Sequence, residues 1–255
     1  MLTLLIWLSG LALEFTILLR ALQQKTLGKY PFFYLYVASL LLADACLYVL
    51  LLVDPAVYAR WNWNVGFLNI LLSAGILLEI FKHVLAPYPG AERFARIFGL
   101  ATFMMILSFG IAYLFFAPHA VGSWMRRASN LERNLLAVQA IFLSSLVGVI
   151  FYYGIAIGRN LQGMIVGYGV CVATTLMALA FRSFAGPSFN AAFTFIQPIA
   201  YWVSLAVWVS TLWNYQPNPV PLAAGGIERD YDSFVSGTRT RVGELRSYLG
   251  RAARP

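Results

Sequence analysis

Three carboxylates lie inside long apolar runs of this chain: Glu14, Asp44 and Glu79. A carboxyl group facing hydrocarbon is costly, so each needs a partner or a task. Asp44 sits near the middle of its run with no basic residue within one helical turn, and Tyr48 follows at i+4, in reach as a hydrogen-bond donor. Two chemistries suit such a group. It carries a proton or binds a cation, or it stays protonated and bonds one helix to another. Glu14 admits the same two readings, and Gly10, one turn earlier, leaves room for a second backbone. The runs holding Glu14 and Asp44 are joined by a short loop, so the two carboxyls can share one site and one proton. Glu79 lies about one turn from the end of its run, with Lys82 at i+3 and His83 at i+4. That spacing reads as an interfacial pair of Glu79 and His83 reaching toward water.

Two polar stripes add to the carboxylates. Asn190, Thr194, Gln197, Tyr201, Ser204, Trp208 and Thr211 recur at alternating steps of four and three, which puts them on one helical face. Asn62, Gly66, Asn69 and Ser73 do the same in an earlier run. Such faces are expected to look inward, either to line a ligand cavity or to pack helices. The candidate ligand- or proton-binding residues are therefore Asp44, Glu14, Asn69, Gln197 and Tyr201. Gly154-x-x-x-Gly158 and Gly163-x-x-x-Gly167 are small-residue spacings of the kind that bring helices close.

The elements that must position these groups are legible from composition. Of 255 residues, 60% are hydrophobic and 11% charged, about half the charged share of a soluble domain. Seven apolar runs cover 2–19, 32–53, 61–85, 94–117, 135–157, 161–181 and 189–213, each long enough as a helix to cross about 30 Å of hydrocarbon. No period-two alternation suggests a barrel. The expected fold is all-α, a polytopic membrane helix bundle of about seven transmembrane helices. Residues 1–214 form the bundle, 215–226 a Pro/Gly linker, and 227–255 a tail that reads as a basic amphipathic helix. Pro198 lies inside the last run, where it would bend the helix.

The net charge is +8. Arg20, Lys25, Lys29, Lys82, Arg93, Arg96 and Arg159 fall on one side together with the arginines of the tail, while Arg60, Arg126, Arg127, Arg133 and Arg182 fall on the other. The bias puts the N-terminus outside and the C-terminus in the cytoplasm of an inner (plasma) membrane. The basic tail then meets anionic lipid, and no basic-plus-aromatic strand pattern points to nucleic acid.

No catalytic constellation is recognisable. Cys46 and Cys171 lie in apolar runs and His83 and His119 are far apart, which gives no metal or haem spacing, so no metal and no cofactor is expected. Seven helices invite a retinal pigment, but the last run contains no lysine for a Schiff base. Spans one to three and five to seven run in the same direction, yet the only echo between them is Arg20-Ala-Leu-Gln23 against Arg159-Asn-Leu-Gln162.

The stretch Leu78-Glu-Ile-Phe-Lys-His-Val-Leu-Ala-Pro-Tyr-Pro-Gly90, with Lys29-Tyr-Pro-Phe-Phe-Tyr34 upstream, resembles a group of uncharacterised bacterial multi-pass membrane proteins. The resemblance covers mainly the first three spans and implies a multi-pass inner-membrane protein. It brings no activity, cofactor or catalytic residue. The expected role is a non-enzymatic sensor or interaction subunit, with a membrane partner or a second copy of the chain as candidate partner. The alternative is a small secondary transporter coupled to protons through Asp44 or Glu14.

Overall fold

The computed structural model describes residues 2–116, 123–185, 190–219 and 225–252. Eight helices follow in chain order: α1 (Leu2–Gln23), α2 (Pro31–Val53), α3 (Pro55–Leu85), α4 (Pro89–Phe116), α5 (Ser123–Tyr153), α6 (Arg159–Ala185), α7 (Asn190–Leu212) and α8 (Gly225–Ala252). Among the described residues there is no strand. Six helices, α1, α2, α3, α5, α6 and α7, are long and apolar enough to cross a membrane. The fourth expected span corresponds to α4, which is not among those six.

The boundaries follow local rules. Pro31 opens α2, where a missing N–H costs nothing. At the end of α1, Lys25 takes a positive φ of 54° while the amide of Thr26 reaches back to the carbonyl of Ala21 at 3.0 Å. Gly154 ends α5 in the same way at φ 61°, with Ile155 N donating to Ile150 O at 3.0 Å. The Gly154/Gly158 spacing is therefore a helix stop and a loop, not a helix-packing motif. Gly163 and Gly167 do pack. A Cβ on Gly163 would run into the Thr211 hydroxyl, and one on Gly167 would run into Nε1 of Trp208. Lack of side chains there brings α6 and α7 together, which in a membrane is the main route to helix association.

The helices form a ring. α1 packs on α2, α2 on α3, α3 on α5, α5 on α6, α6 on α7, and α7 closes on α1; α3 also reaches across to α6. α4 lies outside the ring against α3 and α5, and α8 lies against α4. The six apolar helices are the six of the ring. At its centre Trp208 is fully buried, with Phe33 edge-on at 5.1 Å and Tyr36 edge-on at 6.4 Å.

One end of the bundle is densely tied. There the extended segment after α7 crosses the ends of α1 and α6. Gln24 pairs with it as a strand would: its amide nitrogen donates to Trp213 O, and its Oε1 accepts from Tyr215 N at 3.1 Å. Asn160 Oδ1 accepts from Gln216 N at 3.0 Å, and Asn218 Oδ1 accepts from Gly158 N at 3.1 Å. The Arg20 guanidinium lies 3.9 Å over the Trp213 ring, and the Lys29 ammonium 3.5 Å over Tyr215. Backbone groups beyond the helix ends lack helical partners, and three side-chain amides supply them here.

Candidate functional site

α1 and α7 bring the central polar groups together. Glu14 is fully buried, and its Oε1 accepts a hydrogen bond from the hydroxyl of Tyr201. Its other oxygen, Oε2, is buried without a hydrogen-bond partner among the described residues. Leu205 of α7 covers Gly10 at 3.9 Å from where a Cβ would stand, so the small residue lies at the α1–α7 contact. Nearer the N-terminal end, Trp202 Nε1 donates to Ser9 Oγ at 3.1 Å between the same two helices.

Asp44 of α2 is half-buried and close enough to interact electrostatically with both Glu14 and Tyr201. Tyr36, about two turns before Asp44 on α2, interacts with both carboxyls and with Tyr168 of α6. Neither Glu14 nor Asp44 is in an ion pair among the described residues; the pair that is present, Arg96–Glu92, lies on α4. Tyr48, one turn beyond Asp44, has its ring stacked on Trp7 at 4.6 Å. The structure thus brings Glu14, Asp44 and Tyr201 into one neighbourhood.

The rest of the polar stripes divides. Ser204 and Trp208 are buried on the face that carries Tyr201, whereas Gln197, one turn before Tyr201, is exposed. The inward stripe therefore stops at Tyr201, because around Gln197 the surface of α7 is open, as the exposed Phe195, Ile196 and Ile199 also show. Asn69 of α3 is half-buried and accepts from Ser39 Oγ of α2 at 3.2 Å. The side chains of Asn62, Asn190 and Thr194 lie outside the described residues.

Glu79 and His83 do not form the interfacial side-chain pair expected from their spacing. Glu79 is 5% exposed, and its carboxylate accepts from Phe33 N at 2.9 Å and Phe32 N at 3.3 Å, at the first turn of α2. Those amides are orphan donors of a helix start, carrying partial positive charge, and they hold the carboxylate more effectively than a neighbouring imidazole on the same helix face. His83 Nδ1 lies 2.8 Å from the backbone carbonyl of Glu79, and its ring leans on Tyr30 at 4.9 Å.

Sequence reading missed a second polar node. Gln139 of α5 is buried between α3 and α6. It accepts from the Tyr168 hydroxyl at 2.7 Å and donates to Ile70 O at 3.2 Å and to Ser73 Oγ at 3.1 Å. The signal was available, since Gln139 is an isolated amide within an apolar run, and such residues turn inward. Gln24 and Asn160, in contrast, sit at polar loop ends where nothing in their spacing marks them.

Two large clefts flank the ring. One, about 620 Å³, lies between α3, α4, α5 and the start of α8, and is lined by Phe81, Ala95, Phe142, Tyr153 and Phe234 among others. The other, about 450 Å³, runs between α5 and α6 past Ser144, Gln162 and Gly169. Neither is lined by Glu14, Asp44 or Tyr201.

No protein-family model matches the chain, and no curated protein or solved structure matches it. What fold and composition establish is a helical bundle with six helices able to cross a membrane, consistent with a multi-pass membrane protein.

Proposed function

We propose that this is a seven-helix membrane protein acting as a non-enzymatic sensor or interaction subunit, with a small ligand read at the polar face around Glu14, Asp44 and Tyr201. The observation that carries the reading is the fully buried Glu14, held by Tyr201 across the α1–α7 contact with one oxygen left open among the described residues. The same two helices end at the strap that leads to α8, through Arg20, Gln24, Trp213 and Tyr215. A change in α1–α7 spacing at Glu14 would therefore reach the tail.

Counting α4 as the seventh crossing is supported by connectivity. α4 starts beside α8, where Gly90 abuts Tyr231, and α5 ends beside α8, where Tyr153 donates to Asp230 at 2.9 Å. A helix that begins where the next one ends must run the length of the bundle. The basic residues of the α8 end favour that end in the cytoplasm, in a bacterial inner membrane by the sequence resemblance. Exposed Phe234 and Val242 beside exposed Arg239 and Arg241 suit α8 to an anionic leaflet.

The second reading, a proton-coupled transporter, draws on the two neighbouring carboxyls without an ion pair among the described residues. Reconstitution in vesicles loaded with a pH dye separates the two. A sensor shows ligand-dependent tryptophan fluorescence with no proton flux. Sustained flux that is lost in Asp44→Asn or Glu14→Gln establishes transport and overturns the sensor reading.

A further inference from the structure

We infer that Glu14 and Asp44 form one site for a monovalent cation, which enters in exchange for a proton held by the carboxyl pair. The inference rests on the ligand-binding reading above and names the class of ligand. Glu14 is fully buried, Tyr201 donates to only one of its oxygens, and Oε2 has no partner among the described residues. Every element packed against α1 contributes to the surroundings of Glu14. From α2 come Asp44 and Tyr36, and from α7 comes Tyr201. All three are acidic or phenolic, and no described basic side chain is among the groups acting on either carboxyl.

Two carboxyl groups in hydrocarbon without a countercharge cannot both ionise, because transfer of unpaired charge from water is prohibitive. A proton is one solution. Bound at Glu14 Oε2, however, it sits on a buried oxygen that has no hydrogen-bond partner among the described residues, and a buried polar group left unmet is destabilising. A cation reaching Oε2 resolves this. The carboxyl O–H bond breaks, the proton leaves to solvent, and the carboxylate so formed holds the cation, with Asp44 and the Tyr201 oxygen beside it. Charge balances at one positive charge in and one out. Asp44 is half-buried where Glu14 is sealed, so Asp44 forms the more exposed end of the pair. A set of two carboxyls and two phenols, with no group of three or more metal-binding side chains among the described residues, suits a monovalent rather than a divalent ion.

The test uses the full chain in phosphatidylcholine nanodiscs, weakly buffered, with a pH indicator. Sodium, potassium or methylammonium chloride is added against N-methylglucamine chloride at equal ionic strength. Saturable proton release, approaching one per chain, is expected with at least one cation. A response to sodium or potassium identifies an inorganic ion, and a response to methylammonium alone identifies a protonated amine. Release should vanish in Glu14→Gln and need about tenfold more cation or beyond in Asp44→Asn. Infrared spectra of the unmodified chain should lose the protonated-carboxyl band as cation is added, which guards against a variant that fails to fold. Absence of release with all three cations, or release unchanged in Glu14→Gln, overturns the inference. A tryptophan response to another ligand without proton release would do the same while leaving the sensor reading standing.

Discussion

Glu79 on α3 closes the first turn of α2 by accepting the backbone N–H of Phe33 at 2.9 Å. Tyr30, the residue before that helix, makes no side-chain cap of its own, so the helix start is completed from a different helix. A buried carboxylate at a helix N-terminus meets both orphan donors and partial positive charge, which accounts for an acid tolerated at 5% exposure.

Removing that cap should therefore act on α2 rather than on α3. Glu79→Ala is expected to destabilise the bundle by about 2 kcal/mol, and Glu79→Gln, which keeps one acceptor, by about 1 kcal/mol. Unfolding in mixed detergent micelles measures the loss. Faster hydrogen exchange at the amides of Phe32 and Phe33 locates it, and unchanged exchange there would refute the cap.

The α6–α7 contact depends on two missing side chains. Gly167→Ala places a methyl against the fully buried Trp208 and should cost about 1–3 kcal/mol, whereas Gly148→Ala, with open space around it, should be neutral or mildly stabilising. Equal melting temperatures for the two variants would show that α6 and α7 do not approach as described.

Gln139 serves three helices at once. Gln139→Leu strands the Tyr168 hydroxyl and takes the amide donor from Ser73 Oγ, while Ile70 O keeps the Ser73 hydroxyl at 2.8 Å, for an expected loss of about 2 kcal/mol. Tyr168→Phe removes one bond and should cost about 1 kcal/mol. If the double variant lost the sum of the two, rather than less, the groups would not be coupled.

Ionisation of Tyr30 should link stability to alkaline pH. Burial first, and then the charges of Tyr215, Tyr34 and Glu79, push its phenol up from the ordinary 10.0. The folded chain thus keeps a proton that the unfolded chain releases, and stability falls as pH rises above about 10. Tyr30→Phe should flatten that limb of the pH profile and leave it unaltered near neutrality.

By itself the sequence determined the class of the protein and the course of its helices. Apolar runs of about 20 residues admit few solutions besides helices, and Pro31 and the Pro/Gly segment after Leu212 mark ends through purely local constraints on the backbone, whereas Gly154 looked like part of a packing motif and is a helix stop. Periodicity also placed Tyr201, Ser204 and Trp208 on one face. Tertiary structure decided who meets that face and how far it extends. It put Glu14 against Tyr201, left Gln197 exposed, turned Glu79 from an expected partner of His83 into the cap of α2, and made Gln139 a junction. The physical reason is that helical spacing fixes the direction of a side chain about its own axis only. Which donor or acceptor waits in that direction depends on helix packing between residues as distant as Glu14 and Tyr201, and no local pattern records it.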